Sequence, residues 1–124
     1  MYLCIEAKSA RICREAWVVE AQDIGISVIT AAELRFGAAN SRHPVINQGI
    51  IDTFLRPFTV EHFSEEAALE YGHICAHLRK KGTPIGPFDA LIAAHALSKN
   101  VILVSNNLKE FSRVPKLRFE NWIA

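Results

Sequence analysis

The chain has 124 residues, half of them hydrophobic, with fourteen basic against thirteen acidic side chains and a net charge of +1. That is enough apolar material for one packed core and too little for two, and the near balance of charge excludes a protein that coats nucleic acid by bulk basicity. Cys4, Cys13 and Cys75 are odd in number and form no CxxC pair, which argues against a disulfide framework or a zinc ribbon and favours a reducing cytoplasm. No basic start followed by an apolar run marks a signal peptide, and no apolar stretch reaches the roughly 18 to 20 residues that span a bilayer. The expectation is a cytoplasmic single domain over residues 1–124.

In chain order, residues 1–23 read mostly as helix, with Ala16, Trp17 and Val19 available for packing and no strand longer than Tyr2 to Ile5. Ile24 to Thr30, IGISVIT, is a β-branched apolar run that predicts a strand, followed by a short helix in AAELRFGAAN. Pro44 opens a second helix, whose apolar positions Val45, Ile46, Ile50, Ile51, Phe54 and Leu55 keep helical spacing until Pro57. Phe58 to Phe63 reads as a short strand. Ser64 then caps a long helix that has Glu65 and Glu66 in its first turn and ends on Arg79-Lys80-Lys81-Gly82. After a loop rich in Gly and Pro come a helix from Phe88 to Lys99, a strand at Val101 to Val104, a turn at Ser105-Asn106-Asn107 and a last strand at Leu117 to Trp122. Alternation of this kind predicts a parallel sheet with helices on both faces, an α/β/α sandwich.

The chemistry sits in three separated places. Asp89 lies at the start of the apolar helix in TPIGPFDALI, Glu33 comes after an apolar strand, and Ser105 and Asn107 come after another. Ligands in open α/β sheets collect at the carboxyl ends of strands and the adjoining helix starts, so these positions can converge on a metal ion. Taken singly, Asp89 and Glu33 are also ordinary first-turn acids, and Ser105 and Asn107 are ordinary turn formers. His73 and His77 lie four apart on a helix but lack the HExxH pattern or a third ligand for zinc, and His95 in LIAAHALS reads as a partly buried helix residue. Arg35, Arg42, Lys109 and Arg113 flank the site in sequence and are candidates to meet phosphates.

The segments ISVITAAELRFGAANS, TPIGPFDALIAAHA and ILVSNNLKEFSRVPKLRFENW together resemble the PIN-domain ribonucleases, in particular the VapC toxins of bacterial toxin-antitoxin pairs. The likeness runs from Asp23 to the C-terminus. It implies a compact α/β/α fold on a five-stranded parallel sheet and a divalent metal, Mg²⁺ or Mn²⁺, held by clustered acids. Glu33 matches the glutamate of the family's AEL step and Asp89 its helix-opening aspartate, both as metal ligands. Ser105 and Asn107 match its Thr/Ser-Asn-Asp/Asn step. The resemblance further implies a homodimer, a small VapB-like antitoxin whose C-terminal segment crosses the site, and structured RNA such as tRNA as substrate.

One part of the family pattern is missing. Members usually begin with a short strand ending in Asp-Thr-Asn, whose aspartate binds metal, whereas MYLCIEAKS looks like the segment that normally comes after that step. The expectation is therefore a domain shortened at its N-terminus, its first strand absent or replaced. Loss of that strand would leave two neighbours unpaired, at about 1 to 3 kcal/mol for each buried orphan group. Three readings are open: a metal-dependent endoribonuclease toxin; a catalytically impaired remnant that dimerises or binds antitoxin without cutting RNA; and a small Rossmann-like ligand binder, which the absence of GxGxxG and Walker A loops disfavours.

Overall fold

The computed structural model describes residues 2–4, 24–105 and 107–121. In chain order these form β1 (Tyr2–Cys4), β2 (Ile24–Ser27), α1 (Val28–Ala39), α2 (Pro44–Leu55), β3 (Thr59–Glu61), α3 (Glu65–Lys81), α4 (Pro87–Lys99), β4 (Ile102–Val104), α5 (Leu108–Phe111) and β5 (Phe119–Glu120). The five strands make one parallel sheet in the order β3-β2-β1-β4-β5. The expectation of a helical N-terminus falls on residues outside those described.

The centre of the sheet is filled by Tyr2–Cys4. Tyr2, Leu3 and Cys4 pair in register with Ile24, Gly25 and Ile26 on one side and with Ile102, Leu103 and Val104 on the other. The two strands expected to lose a partner thus have one along three residues, which satisfies the backbone groups that the central position would otherwise strand. The last residue of this strand is Cys4.

Further boundaries differ from the sequence reading. The strand predicted to Thr30 stops at Ser27, because the Ser27 hydroxyl accepts the Ile29 N–H at 3.2 Å and caps a helix that begins at Val28. A cap of this kind outweighs the weak strand preference of Val28, Ile29 and Thr30. Glu33 accordingly lies inside a helix of twelve residues that runs through Gly37. Beyond Asn107 the chain forms α5, where the sequence suggested only a turn. The last strand, expected over Leu117 to Trp122, is confined to Phe119–Glu120 among the described residues, and Trp122 lies outside them. The helix signals hold: Pro44 opens α2, Ser64 caps α3 through Ala67 N–H, and Gly82, at φ 69°, ends α3 in the left-handed region that glycine adopts freely.

Successive residues of β4 face opposite sides of the sheet, and they enter different cores. Leu103 packs with Ile74 and Leu78 of α3 and with Ile92, Ala93, Ala94 and Ala96 of α4; Val104 packs with Ile26 of β2, Ala31 of α1 and Leu55 of α2. The helices therefore cover the sheet from both sides as a three-layer α/β/α sandwich. At the β2–β3 edge, a Cβ on Gly25 would lie 2.8 Å from Glu61 Cγ, and Glu61 pairs with Lys99 of α4 at 3.0 Å. No helix among the described residues is long and apolar enough to cross a membrane.

Candidate functional site

In a parallel sheet of this order the chain changes direction between β1 and β4, and the crevice at the carboxyl ends there is where ligands collect. Asp89 arrives from the first turn of α4, two residues after Pro87 at the helix start. Asn107 comes after β4 and stands at the start of α5, but its side chain caps nothing. Instead its amide donates to Asp89 Oδ2 at 2.9 Å and to Glu110 Oε2 at 3.3 Å. One amide thus holds two carboxylates together at the carboxyl end of β4. Gly86 borders the same space: a Cβ there would stand 3.9 Å from both Asp89 Oδ2 and Glu110 Oε2, so glycine leaves the approach to the two acids open.

Two half-buried carboxylates this close cannot both ionise at little cost. Burial, followed by the hydrogen bond and charge of Glu110 and then the charge of Glu33, pushes Asp89 up to about 7, against a smaller opposing pull from the Asn107 amide. Glu110 is held below the usual glutamate value, chiefly by its hydrogen bond with Asp89, assisted by Asn107, the Gly86 N–H and the nearby Arg113 cation. The two carboxyl groups titrate as a coupled pair, in which Asp89 holds its proton to the higher pH. Such an arrangement has an unmet demand for positive charge, which a hard divalent cation with oxygen ligands satisfies.

Of the residues singled out in the sequence, the fold brings Asp89 and Asn107 into direct contact. Glu33 is exposed on α1 and joins the cluster through its charge on Asp89. Ser105 stands one step behind, 1% exposed, its hydroxyl accepting the Asn107 N–H at 3.0 Å and shaping the turn that presents Asn107. Glu110 was missed by the sequence reading; the available signal was its place three residues after Asn107, a spacing that puts two side chains on one helix face. Among the described residues no three His, Cys, Asp or Glu side chains gather closely enough to enclose a metal ion by themselves.

The flanking cations divide. Arg35 is taken by Asp52 at 2.7 Å and by Gln48 Oε1 at 3.0 Å, tying α1 to α2, and Arg113 donates to the Pro84 carbonyl at 3.0 Å; Arg42 and Lys109 are exposed. His73 is exposed on α3, and His95, expected to be partly buried, is fully enclosed.

Comparison with known proteins agrees with this architecture. The PIN domain family matches residues 2–117. The tRNA(fMet)-specific endonuclease VapC of Salmonella typhimurium is 40% identical over 109 residues, covering 88% of this chain and 83% of that protein. Ribonuclease VapC2 of Haemophilus influenzae is 48% identical over 98 residues, covering 79% of this chain and 74% of its own. Among solved structures, the DNA-bound VapBC complex of Salmonella typhimurium contains a chain that superposes with a TM-score of 0.89 at 35% identity, covering 98% of both chains. The VapBC2 complex of Rickettsia felis gives 0.89 at 34% identity, again covering 98% of both. With a family match along nearly its whole length and relatives this similar, the chain belongs to the PIN-domain family, in its VapC group.

Proposed function

We propose that this chain is an endoribonuclease, the toxin of a toxin-antitoxin pair, that hydrolyses RNA phosphodiester bonds with Mg²⁺ or Mn²⁺ held by Asp89 and Glu110, with Glu33 adding negative charge from α1. The observation that carries the reading is the Asp89–Asn107–Glu110 cluster, two carboxylates under one amide, with Asp89 raised to about 7. When bound, the metal neutralises charge growing on the phosphate and activates water. Asp89 and Glu110 supply the anionic oxygens, Asn107 fixes their spacing, and Gly86 keeps their front open. Glu33 approaches from α1 and completes the acidic surface. Exposed Arg42 and Lys109 are available to hold the RNA backbone without reading bases. The name of the Salmonella relative makes tRNA the first substrate to test, and the VapBC structures make a VapB-like antitoxin the first partner. The exposed row Val45, Ile46 and Ile50 on α2 offers apolar surface for such a partner or for a second copy.

One observation favours a second reading. β1, Tyr2–Cys4, contains no acidic residue, so among the described residues the acids of the cluster are Asp89, Glu110 and, through its charge, Glu33. The second reading is a catalytically impaired protein that still binds antitoxin or dimerises. The deciding experiment incubates the purified chain with total tRNA, with and without Mn²⁺, beside Asp89→Ala. Mn²⁺-dependent cutting lost in the variant establishes the nuclease; antitoxin binding without any cutting establishes the impaired form.

A further inference from the structure

Ser27 Oγ lies 2.8 Å from His95 Nδ1, and both side chains are 0% exposed although 68 positions separate them. The Ser27 hydroxyl already accepts the Ile29 N–H at 3.2 Å, which leaves its own proton to donate to Nδ1. His95 is then neutral with its proton on Nε2, as burial favours. The ring is turned edge-on to Phe63, 5.6 Å between centroids, which fixes its orientation. Nε2 makes no hydrogen bond of good geometry, although the His62 backbone stands near enough to the ring to oppose part of the effect of burial; Thr30 Oγ1 in the first turn of α1 is buried without a partner.

For stability alone an apolar pair of similar shape would serve as well, since it would bury no polar atoms. Its placement supplies another use. Glu33 lies six residues after Ser27 on α1, and Asp89 six residues before His95 on α4, each about 9 Å along its helix. Among the described residues, Ser27–His95 is the one side-chain hydrogen bond that joins the start of α1 to α4, and no direct bond links Glu33 to Asp89. The gap between those two carboxylates is therefore inherited from how the two helices are set against each other. A directional bond fixes that setting more narrowly than apolar packing does.

We propose that Ser27 and His95 are a positioning pair for the acidic site, holding Glu33 of α1 at the working distance from Asp89 of α4. The inference rests on the metal-dependent reading above and concerns residues that touch neither metal nor substrate.

The test measures Mn²⁺ affinity by electron paramagnetic resonance, together with thermal unfolding, for the wild-type chain, His95→Leu and His95→Asn. Leu preserves volume and removes the acceptor; Asn is smaller but keeps an acceptor near the place of Nδ1. The expected result is a Mn²⁺ dissociation constant raised about tenfold in His95→Leu at nearly unchanged Tm, and largely restored in His95→Asn despite a lower Tm. A merely structural residue gives the opposite order, with affinity following Tm, and that outcome overturns the proposal. If His95→Leu does not fold, Ser27→Ala reads the same bond from its other side, and unchanged Mn²⁺ affinity there is equally fatal. Absence of Mn²⁺ binding by the wild-type chain overturns the metal reading and this inference together, whereas binding that His95→Leu retains in full overturns this inference alone.

Discussion

The acidic site has two halves built in different ways. On the α4–α5 side, Asp89, Asn107 and Glu110 are joined by side-chain hydrogen bonds and stand half-buried at the end of β4; on the α1 side, Glu33 is exposed and reaches the others only through its charge. The bonded half is preorganised and under electrostatic tension, because two carboxyl groups meet under one amide and the charge of Glu110 opposes ionisation of Asp89. The open half is free of that tension and depends on the scaffold for its position. The contrast separates residues that create the demand for a cation from one that tunes it.

Breaking the bonded half should have the largest effect. Asp89→Asn is expected to lower metal-dependent cleavage at least about a hundredfold, as removal of a ligand exceeds the usual cost of losing a ligand's supporting partner. In the absence of metal the same variant should unfold at a higher temperature than wild type, since one of two opposed charges is gone. A variant that lost cleavage and stability together would point to a structural acid. Glu33→Gln, in the open half, should lower cleavage by about tenfold and leave Tm in place, because the side chain is exposed and makes no hydrogen bond within the cluster.

Acidity sharpens the contrast without mutation. Asp89 is raised in the fold from an ordinary 3.8 to about 7, so its contribution to stability is fully present below about pH 3.8 and is lost as pH rises through 7. His95 is lowered by burial from 6.5, so its contribution is present above 6.5 and is lost as pH falls through its folded value. The metal-free chain should gain stability from the Asp89 proton between about pH 8 and 6.5, with His95 opposing below that. Protons compete with the cation for the same oxygens, so Mn²⁺ should raise Tm more at about pH 8 than at about pH 6. Equal Mn²⁺ shifts at both values would contradict a proton held on Asp89 to about pH 7. The smallest effect is expected behind the site: Ser105→Ala removes the acceptor for the Asn107 N–H, costing about 0.5 to 1.5 kcal/mol in urea unfolding while cleavage changes only a few-fold.

Much of this was legible in the residues. Helix caps and stops such as Ser64, Pro44 and Gly82 act locally, through bonds within a few positions, and the fold obeys them. Asp89 and Asn107 stood out because they adjoin strongly apolar elements. Other features depend on contacts between distant segments and have no local signature. Glu110 gains its role only when α5 swings against α4, and the start of α1 at Val28 was hidden under a β-branched run that a single serine hydroxyl redirects. The place of Tyr2–Cys4 at the centre of the sheet likewise depends on two flanking strands that need a partner, a requirement felt only in the assembled sheet.

Gly25 restricts how this sequence can drift. Its backbone is ordinary strand, so no conformational rule demands glycine there; the Glu61 side chain lying over it does, and Glu61 is in turn fixed by Lys99. Any side chain at position 25 would have to displace the carboxylate that pins the tail of α4, the helix whose head carries Asp89. A side chain at position 25 is thus tolerated only if the residue at 61 moves or changes, and a homologue with alanine at 25 should carry a different side chain, or a different Glu rotamer, at 61.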